Sequence, residues 1–238
     1  MIIDITRCNF QRGYLPRRKD TIFHPFFATC NAAFRREALE KAGGFDLACR
    51  TGEDIDMSIR VARAGYELWY EPSAKIRHLD RRTLGEMWRQ WFGYGQARPY
   101  LYKKHTPGPR LRVYRLDLSN PVKDPLGVRC LLEMPFPIYG MIFLSSFHVF
   151  HAGLLASLAA ALAGAEEAAV AALSLGLVAG GWYASLRFDW RRPLRSLALA
   201  GLRYGADLAF VLGALLAGLR RGVLHLEVTR SHRSRPKR

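Results

Sequence analysis

Thr51-Gly52-Glu53-Asp54-Ile55-Asp56-Met57-Ser58-Ile59-Arg60 is the stretch from which the rest of the chain can be read. Thr51 suits a helix N-cap, and Asp54 three positions later completes a Ser/Thr-x-x-Asp/Glu capping pattern. The helix that follows carries Ile55, Ile59 and Ala62 on one apolar face and ends at Gly65, a C′ residue. Asp56 faces away from Asp54 and pairs with Arg60 at i,i+4. Read alone, Asp54 is a cap and nothing more.

The surroundings change that reading. Upstream, Asn31-Ala32-Ala33-Phe34-Arg35-Arg36-Glu37-Ala38-Leu39 leads into Gly43-Gly44-Phe45-Asp46, where Arg36 to Ala42 reads as a short helix stopped by the glycine pair and Phe45 as a core anchor. Phe26 to Cys30 is a short apolar, β-favouring run. Downstream, Tyr66 to Tyr70 reads as a strand, Glu71-Pro72 as a turn and Ala74 to Arg77 as a second strand, with His78 at its exit. Thr83-Leu84-Gly85-Glu86 repeats the capping pattern and opens a helix bearing Met87, Trp88, Trp91, Phe92 and Tyr94. Two placements suit that helix: the membrane interface, or packing against the soluble part.

In this order and spacing, residues 24 to 105 resemble the acceptor-side half of family 2 glycosyltransferases. The resemblance implies an α/β fold, namely the C-terminal half of an A-type glycosyltransferase domain followed by transmembrane helices. It implies inverting sugar transfer, with Asp54 as catalytic base and Glu53 in support. A carboxylate at a helix N-terminus is rigidly held, and the dipole favours its ionised form. Asp54-Ile55-Asp56 has the letters of a metal-binding DxD, but that motif follows a strand in the nucleotide-binding half, upstream of this region. Such a DxD is not found in the chain, so the divalent metal (Mg2+ or Mn2+) is a family implication only. His78 is the implied metal or diphosphate contact; its plainer reading is an ordinary hydrogen-bonding histidine.

Asn31 and Arg35 are candidates for contacting acceptor or phosphate groups, against the simpler reading of a capped turn and a solvated helix start. Gln96-Ala97-Arg98-Pro99-Tyr100 loosely resembles the Gln-x-x-Arg-Trp motif of processive members. Arg98 stands one residue early and no Trp follows, which favours a non-processive enzyme with Gln96 and Arg98 near the acceptor phosphate. The implied partners are a nucleotide-sugar donor, a lipid-linked or membrane-proximal acceptor and an anionic membrane. The donor-binding half that should precede residue 24 is expected from a separate chain, from sequence lost by truncation or from a replacing partner.

Composition sets the remaining frame. The 238 residues hold 36 Lys and Arg against 20 Asp and Glu, a formal charge of +16. That balance suits nucleic acid, an anionic membrane surface or a phosphorylated substrate, and no nucleic-acid-binding motif accompanies it. The basic clusters flank apolar segments, as membrane anchors do. Cys8, Cys30, Cys49 and Cys130 show no metal-ligand spacing and read as reduced thiols. Met1 to Asp4 does not read as a secretory leader.

Residues 1–105 therefore read as the partial catalytic domain, and 106–137, with six prolines, as a linker with short interfacial helices. Residues 138–165 and 168–186 are long enough to cross a bilayer as a hairpin, turning at Glu166-Glu167. The arginines at 187, 191, 192 and 195 place the other end, with the soluble domain, in the cytoplasm. A third segment, 197–219, contains Arg203 and Asp207; it suits an in-plane, re-entrant or protein-packed helix, or a third span. Residues 220–238 form a basic cytoplasmic tail. The competing function is a non-catalytic scaffold or partner subunit that binds anionic lipid.

Overall fold

The computed structural model describes residues 13–15, 26–71, 73–77, 79, 81–116, 128–185 and 188–227. They form a mixed α/β arrangement of six strands and six helices. A short antiparallel pair, β1 (Gly13–Leu15) with β2 (Leu68–Tyr70), sits beside α1 (Arg36–Lys41) and α2 (Glu53–Arg63). Ala38, Met57, Val61, Leu68 and Tyr70 form one buried cluster there, with Phe27, Phe34 and Tyr66 packed against it.

Helix α2 stops where the sequence says it should. Gly65 takes φ +103°, the amide of Tyr66 bonds to the Val61 carbonyl and that of Gly65 to Ala62, a Schellman closure that a left-handed glycine permits. Its start differs from expectation. Gly52, with φ +78°, holds the N-cap position in place of Thr51, and no side chain caps the helix. The expected strand over Ala74 to Arg77 does not form; Ala74 instead accepts a hydrogen bond from Asn31. Phe45 is no core anchor, being 44% exposed.

Helix α3 (Leu84–His105) begins with the expected capping box. Thr83 Oγ1 accepts from the Glu86 amide at 3.2 Å, and the Glu86 carboxylate accepts from the Thr83 amide at 3.3 Å. Helix α3 lies against α6 (Pro193–Arg221). The contact is backbone on backbone, since a Cβ on Gly95 would stand 2.0 Å from the Phe210 oxygen and one on Gly213 2.2 Å from that of Phe92. Neither atom can be accommodated without separating the helices. Gly95→Ala is therefore expected to lower stability by about 1–3 kcal/mol or more, read as a reduced unfolding midpoint in mild detergent.

The proline-rich region departs from expectation. Where a linker with interfacial helices is predicted, β3 (Arg110–Leu116) and β4 (Val128–Pro135) form an antiparallel pair. Strand β3 alternates Arg110, Arg112 and Tyr114 with Leu111 and Val113, a period of two that a count of prolines hides. Pro107 and Pro109 precede the strand and Pro135 ends β4, positions that spare the ladder. The first predicted span also starts too early. Tyr139–Leu144 is strand β5, parallel to β3, and only at Ser146 does α4 (Ser146–Leu162) begin. Strand β6 (Val223–Leu226), in the segment expected to be a basic tail, completes a sheet of order β4-β3-β5-β6. Residues 228–238 lie outside the described residues.

This sheet carries the second core: Tyr114, Met141, Phe143 and Val223 meet Tyr102 of α3, Phe147 of α4, Val211 of α6 and Tyr183 of α5 (Glu166–Ser185). Helices α4 and α5 approach through Gly153 and Gly176. At about 1.5 Å per residue the 20 residues of α5 reach the ~30 Å of a bilayer core, and α6, with 29 residues, exceeds it. Helix α4, at 17 residues, is shorter. Leu155, Leu158 and Leu162 of α4 and Leu175, Val178 and Trp182 of α5 are exposed. In α6 the window around Arg203 and Asp207 is more covered than α5, and Asp207 is buried against Tyr183 and Arg203.

Candidate active site

The first turn of α2 presents Glu53, Asp54 and Asp56 in three directions. Glu53 accepts a hydrogen bond from Thr29 Oγ1 at 3.1 Å, which ties the helix start to the 3-10 turn at Thr29–Asn31. Asp54 is partly buried; its Oδ1 accepts from the Ile55 amide at 2.8 Å, and no ion pair is made to it by the described residues. Burial pushes its carboxyl above the usual carboxylate range, with Glu53 adding to the effect and Arg98 opposing it. Burial thus opposes the ionisation that the helix terminus favours. A carboxylate that binds its proton more tightly is a better proton acceptor once ionised.

Asp56 turns inward and is fully buried. Its Oδ2 meets Arg60 Nε at 2.9 Å and Nη2 at 2.8 Å, while Oδ1 meets Lys104 Nζ and His105 Nε2, each at 2.8 Å. Arg63 Nη1 donates to His105 Nδ1 at 3.1 Å. Since arginine offers only donors, Nδ1 is the acceptor and Nε2 carries the hydrogen given to Asp56. Burial opposes charge on Asp56, but hydrogen bonds from His105, Lys104 and Arg60 outweigh it and hold the carboxyl below its ordinary range. Lys104 also donates to Asp46 at 2.6 Å; with the Tyr100 hydroxyl, it takes the Asp46 carboxyl down to about 2. The expected Asp56–Arg60 pair is present, within a larger clamp between α2 and the end of α3. Asp56 is consumed by that clamp, so Asp54 and Asp56 do not converge on a common ligand.

Helix α3 packs against the start of α2. Ala97 and Leu101 pack on Gly52, where a Cβ would come within 2.9 Å of Leu101 Cδ1. Gly52→Ala therefore meets both a left-handed φ and a filled site. A loss of about 1–3 kcal/mol in unfolding free energy is expected, and urea titration reads it directly. Tyr94, one turn before Arg98, lies within the electrostatic reach of Glu53 and Asp54, and burial raises its hydroxyl pKa. Arg98 Nε and Nη2 each bond Glu227 at 2.7 Å in a largely buried bidentate pair. Sequence reasoning placed Arg98 near the site but missed Glu227, 129 positions away. No local pattern signals such a partner.

The remaining candidates separate from this centre. Asn31 Nδ2 donates to the Ala74 carbonyl at 2.8 Å, and the Arg35 side chain is 80% exposed, 3.7 Å from Glu37. Both line a cavity of about 750 Å3 between the Cys30–Ala38 segment and β2, floored by Val61 and Leu68; neither Asp54 nor Glu53 lines it. Gln96 sits on α3, its backbone nitrogen against Gly213 of α6. His78 lies outside the described residues. Among the described residues no group of three or more His, Cys, Asp or Glu side chains fits a metal ion. Of the cysteines, Cys30 and Cys49 are free thiols; burial pushes Cys49 up to about 11.

The chain is 33% identical over 82 residues to the succinoglycan biosynthesis protein ExoA of Rhizobium meliloti (strain 1021), covering 34% of the chain and 25% of that protein. It is 42% identical over 67 residues to a pre-mycofactocin glycosyltransferase of Mycobacterium tuberculosis, covering 27% of the chain and 14% of the relative. With the O-antigen chain rhamnosyltransferase WbaN of Salmonella anatum it shares 33% identity over 70 residues, 29% of the chain and 22% of the relative. The chain thus matches a quarter or less of the length of these relatives. No solved structure matches it significantly. Residues 17–184, from before the first expected motif to the end of α5, match the family described as glycosyl transferase family group 2, and the chain belongs to that family.

Proposed function

We propose that this chain provides the acceptor-activating side of an inverting glycosyl transfer at a membrane surface. Asp54 accepts the proton of the acceptor hydroxyl as that oxygen attacks the anomeric carbon of a nucleotide-sugar donor and the nucleotide diphosphate leaves. The observation that carries the reading is the contrast between two neighbouring acids. Asp56 is locked by Arg60, Lys104 and the His105 N–H, whereas Asp54 is partly buried, unclamped and shifted toward holding a proton. Glu53 fixes the helix start through Thr29. Asn31, Arg35, Gln96 and Arg98 are the proposed contacts to sugar and phosphate groups.

The exposed leucines of α4 and α5 and the length of α5 and α6 support membrane association, and with it a lipid-linked or otherwise membrane-proximal acceptor. The name of the Salmonella anatum relative, an O-antigen chain rhamnosyltransferase, agrees with a role in building the cell envelope. A cytoplasmic catalytic face follows from the arginines at 191, 192 and 195 under the positive-inside rule. The test is sugar incorporation from labelled nucleotide sugars into membrane extracts, comparing the native chain with Asp54→Asn. A scaffold that only binds lipid is indifferent to that change. A transferase loses turnover.

A further inference from the structure

Arg110 and Arg112 stand two apart on β3 and so share one face of the strand. Their guanidinium groups converge on a single oxygen: Arg110 Nη1 donates to Glu133 Oε1 at 2.5 Å, and Arg112 Nη2 donates to the same atom at 3.1 Å. Glu133 lies directly across from Arg112 on β4, the edge strand of the sheet. The two arginines, Arg112 before Arg110, hold the Glu133 carboxyl below its usual range, so it is ionised at neutral pH. Two positive charges are thus gathered about one negative charge.

The hydrogen bonds fall short in the same way. Arg112 Nε and Nη1 and Arg110 Nε are buried and have no hydrogen-bond partner among the described residues. The Arg112 side chain is only 7% exposed, and unmet donors on a buried cation are costly. The Arg110 and Glu133 side chains are 32% and 37% exposed, so the pair of cations is reached from solvent on the carboxylate's side. Glu133 spends one oxygen on both arginines. A phosphate group brings three or more oxygens and more charge, in a geometry that a planar arginine fork matches.

We propose that Arg110 and Arg112 form a binding site for a phosphate group, with the Glu133 carboxylate as its resident stand-in. An incoming phosphate displaces that carboxylate outward from the edge strand and takes both guanidinium groups. The chemistry is the same for a lipid headgroup phosphate and for a soluble one. The inference does not draw on the reading of Asp54 as the base.

The detergent-solubilised full chain is titrated with inorganic phosphate at constant ionic strength, following the 31P line width and the unfolding midpoint. In parallel, the midpoint is measured in phosphatidylcholine nanodiscs with and without phosphatidic acid. A saturable response is expected, and in Glu133→Gln its half-saturation should fall about tenfold or more, because the competing charge is gone. Arg112→Lys, which keeps the charge and loses the fork, should abolish the response; where that chain does not fold, Arg110→Gln should weaken it. A response to phosphatidic acid alone assigns the site to a lipid headgroup, and one to inorganic phosphate alone to a soluble phosphate; both support the site. A folded Glu133→Gln chain that responds to neither shows a structural ion cluster and overturns the proposal. So does a response that is unchanged in Arg112→Lys and Arg110→Gln, which is a general salt effect. No readout depends on turnover, so failure here is distinct from an Asp54→Asn chain that still transfers sugar.

Discussion

Asp54→Asn is expected to abolish sugar transfer while leaving the chain at least as stable as before. A positioned general base contributes about 10²–10⁴ in rate, and asparagine cannot accept the proton. The stability expectation comes from the direction of the shift: burial raises the Asp54 pKa, so the fold disfavours the charged form present at neutral pH. Removing that charge relieves the penalty. Turnover and the unfolding midpoint should therefore part company, the first collapsing and the second steady or higher. The same direction sets the pH profile of the native enzyme. Its rate should fall, on acidification, through a value above the ~3.9 of a free aspartate. Full turnover in Asp54→Asn, or loss of turnover through unfolding alone, removes the base from the proposal.

Asp56→Asn is expected to do the opposite: lower stability sharply, and activity only as a consequence. Asp56 is wholly buried and joins Arg60, Lys104 and His105, so its loss leaves cations without their carboxylate. Breaking a buried pair from one side costs about 3–5 kcal/mol, and denaturant titration in mild detergent measures it. The sign with pH is fixed by the depressed carboxyl. Its stabilising contribution is complete above the unfolded pKa of about 3.9 and is lost as pH falls through the lower folded value. The gap between native chain and variant should therefore close on acidification below about 4. A gap that stays constant to low pH means Asp56 holds the helices by shape alone.

These two acids, two residues apart, show how far the sequence reaches. The spacing of Gly52 to Arg60 with its flanking motifs was enough to indicate the family, the helix carrying the acids and the Asp56–Arg60 pair, because all are encoded over short distances. Thr83 and Glu86 likewise declare the start of α3, and Gly65 the end of α2, since caps depend on a few adjacent residues. Binary pattern also carries the apolar length of α5. The strands β3 and β5 were hidden, one behind prolines that lie outside it and one behind an apolar run that reads equally as helix; pairing with distant strands decided both.

What the sequence alone determined was chemistry written in neighbours: family, acid pair, caps and the charge that flanks apolar segments. Tertiary structure decided the rest. It turned Asp56 into a clamp and left Asp54 partly buried and unclamped, put Gly52 at the cap in place of Thr51 with α3 packed against it, and gave Arg98 to Glu227. The physical reason is common to all three. Burial and ion pairing are set by what packs against a side chain, and Lys104 and His105, which hold Asp56, come from the end of α3, far along the sequence from that acid.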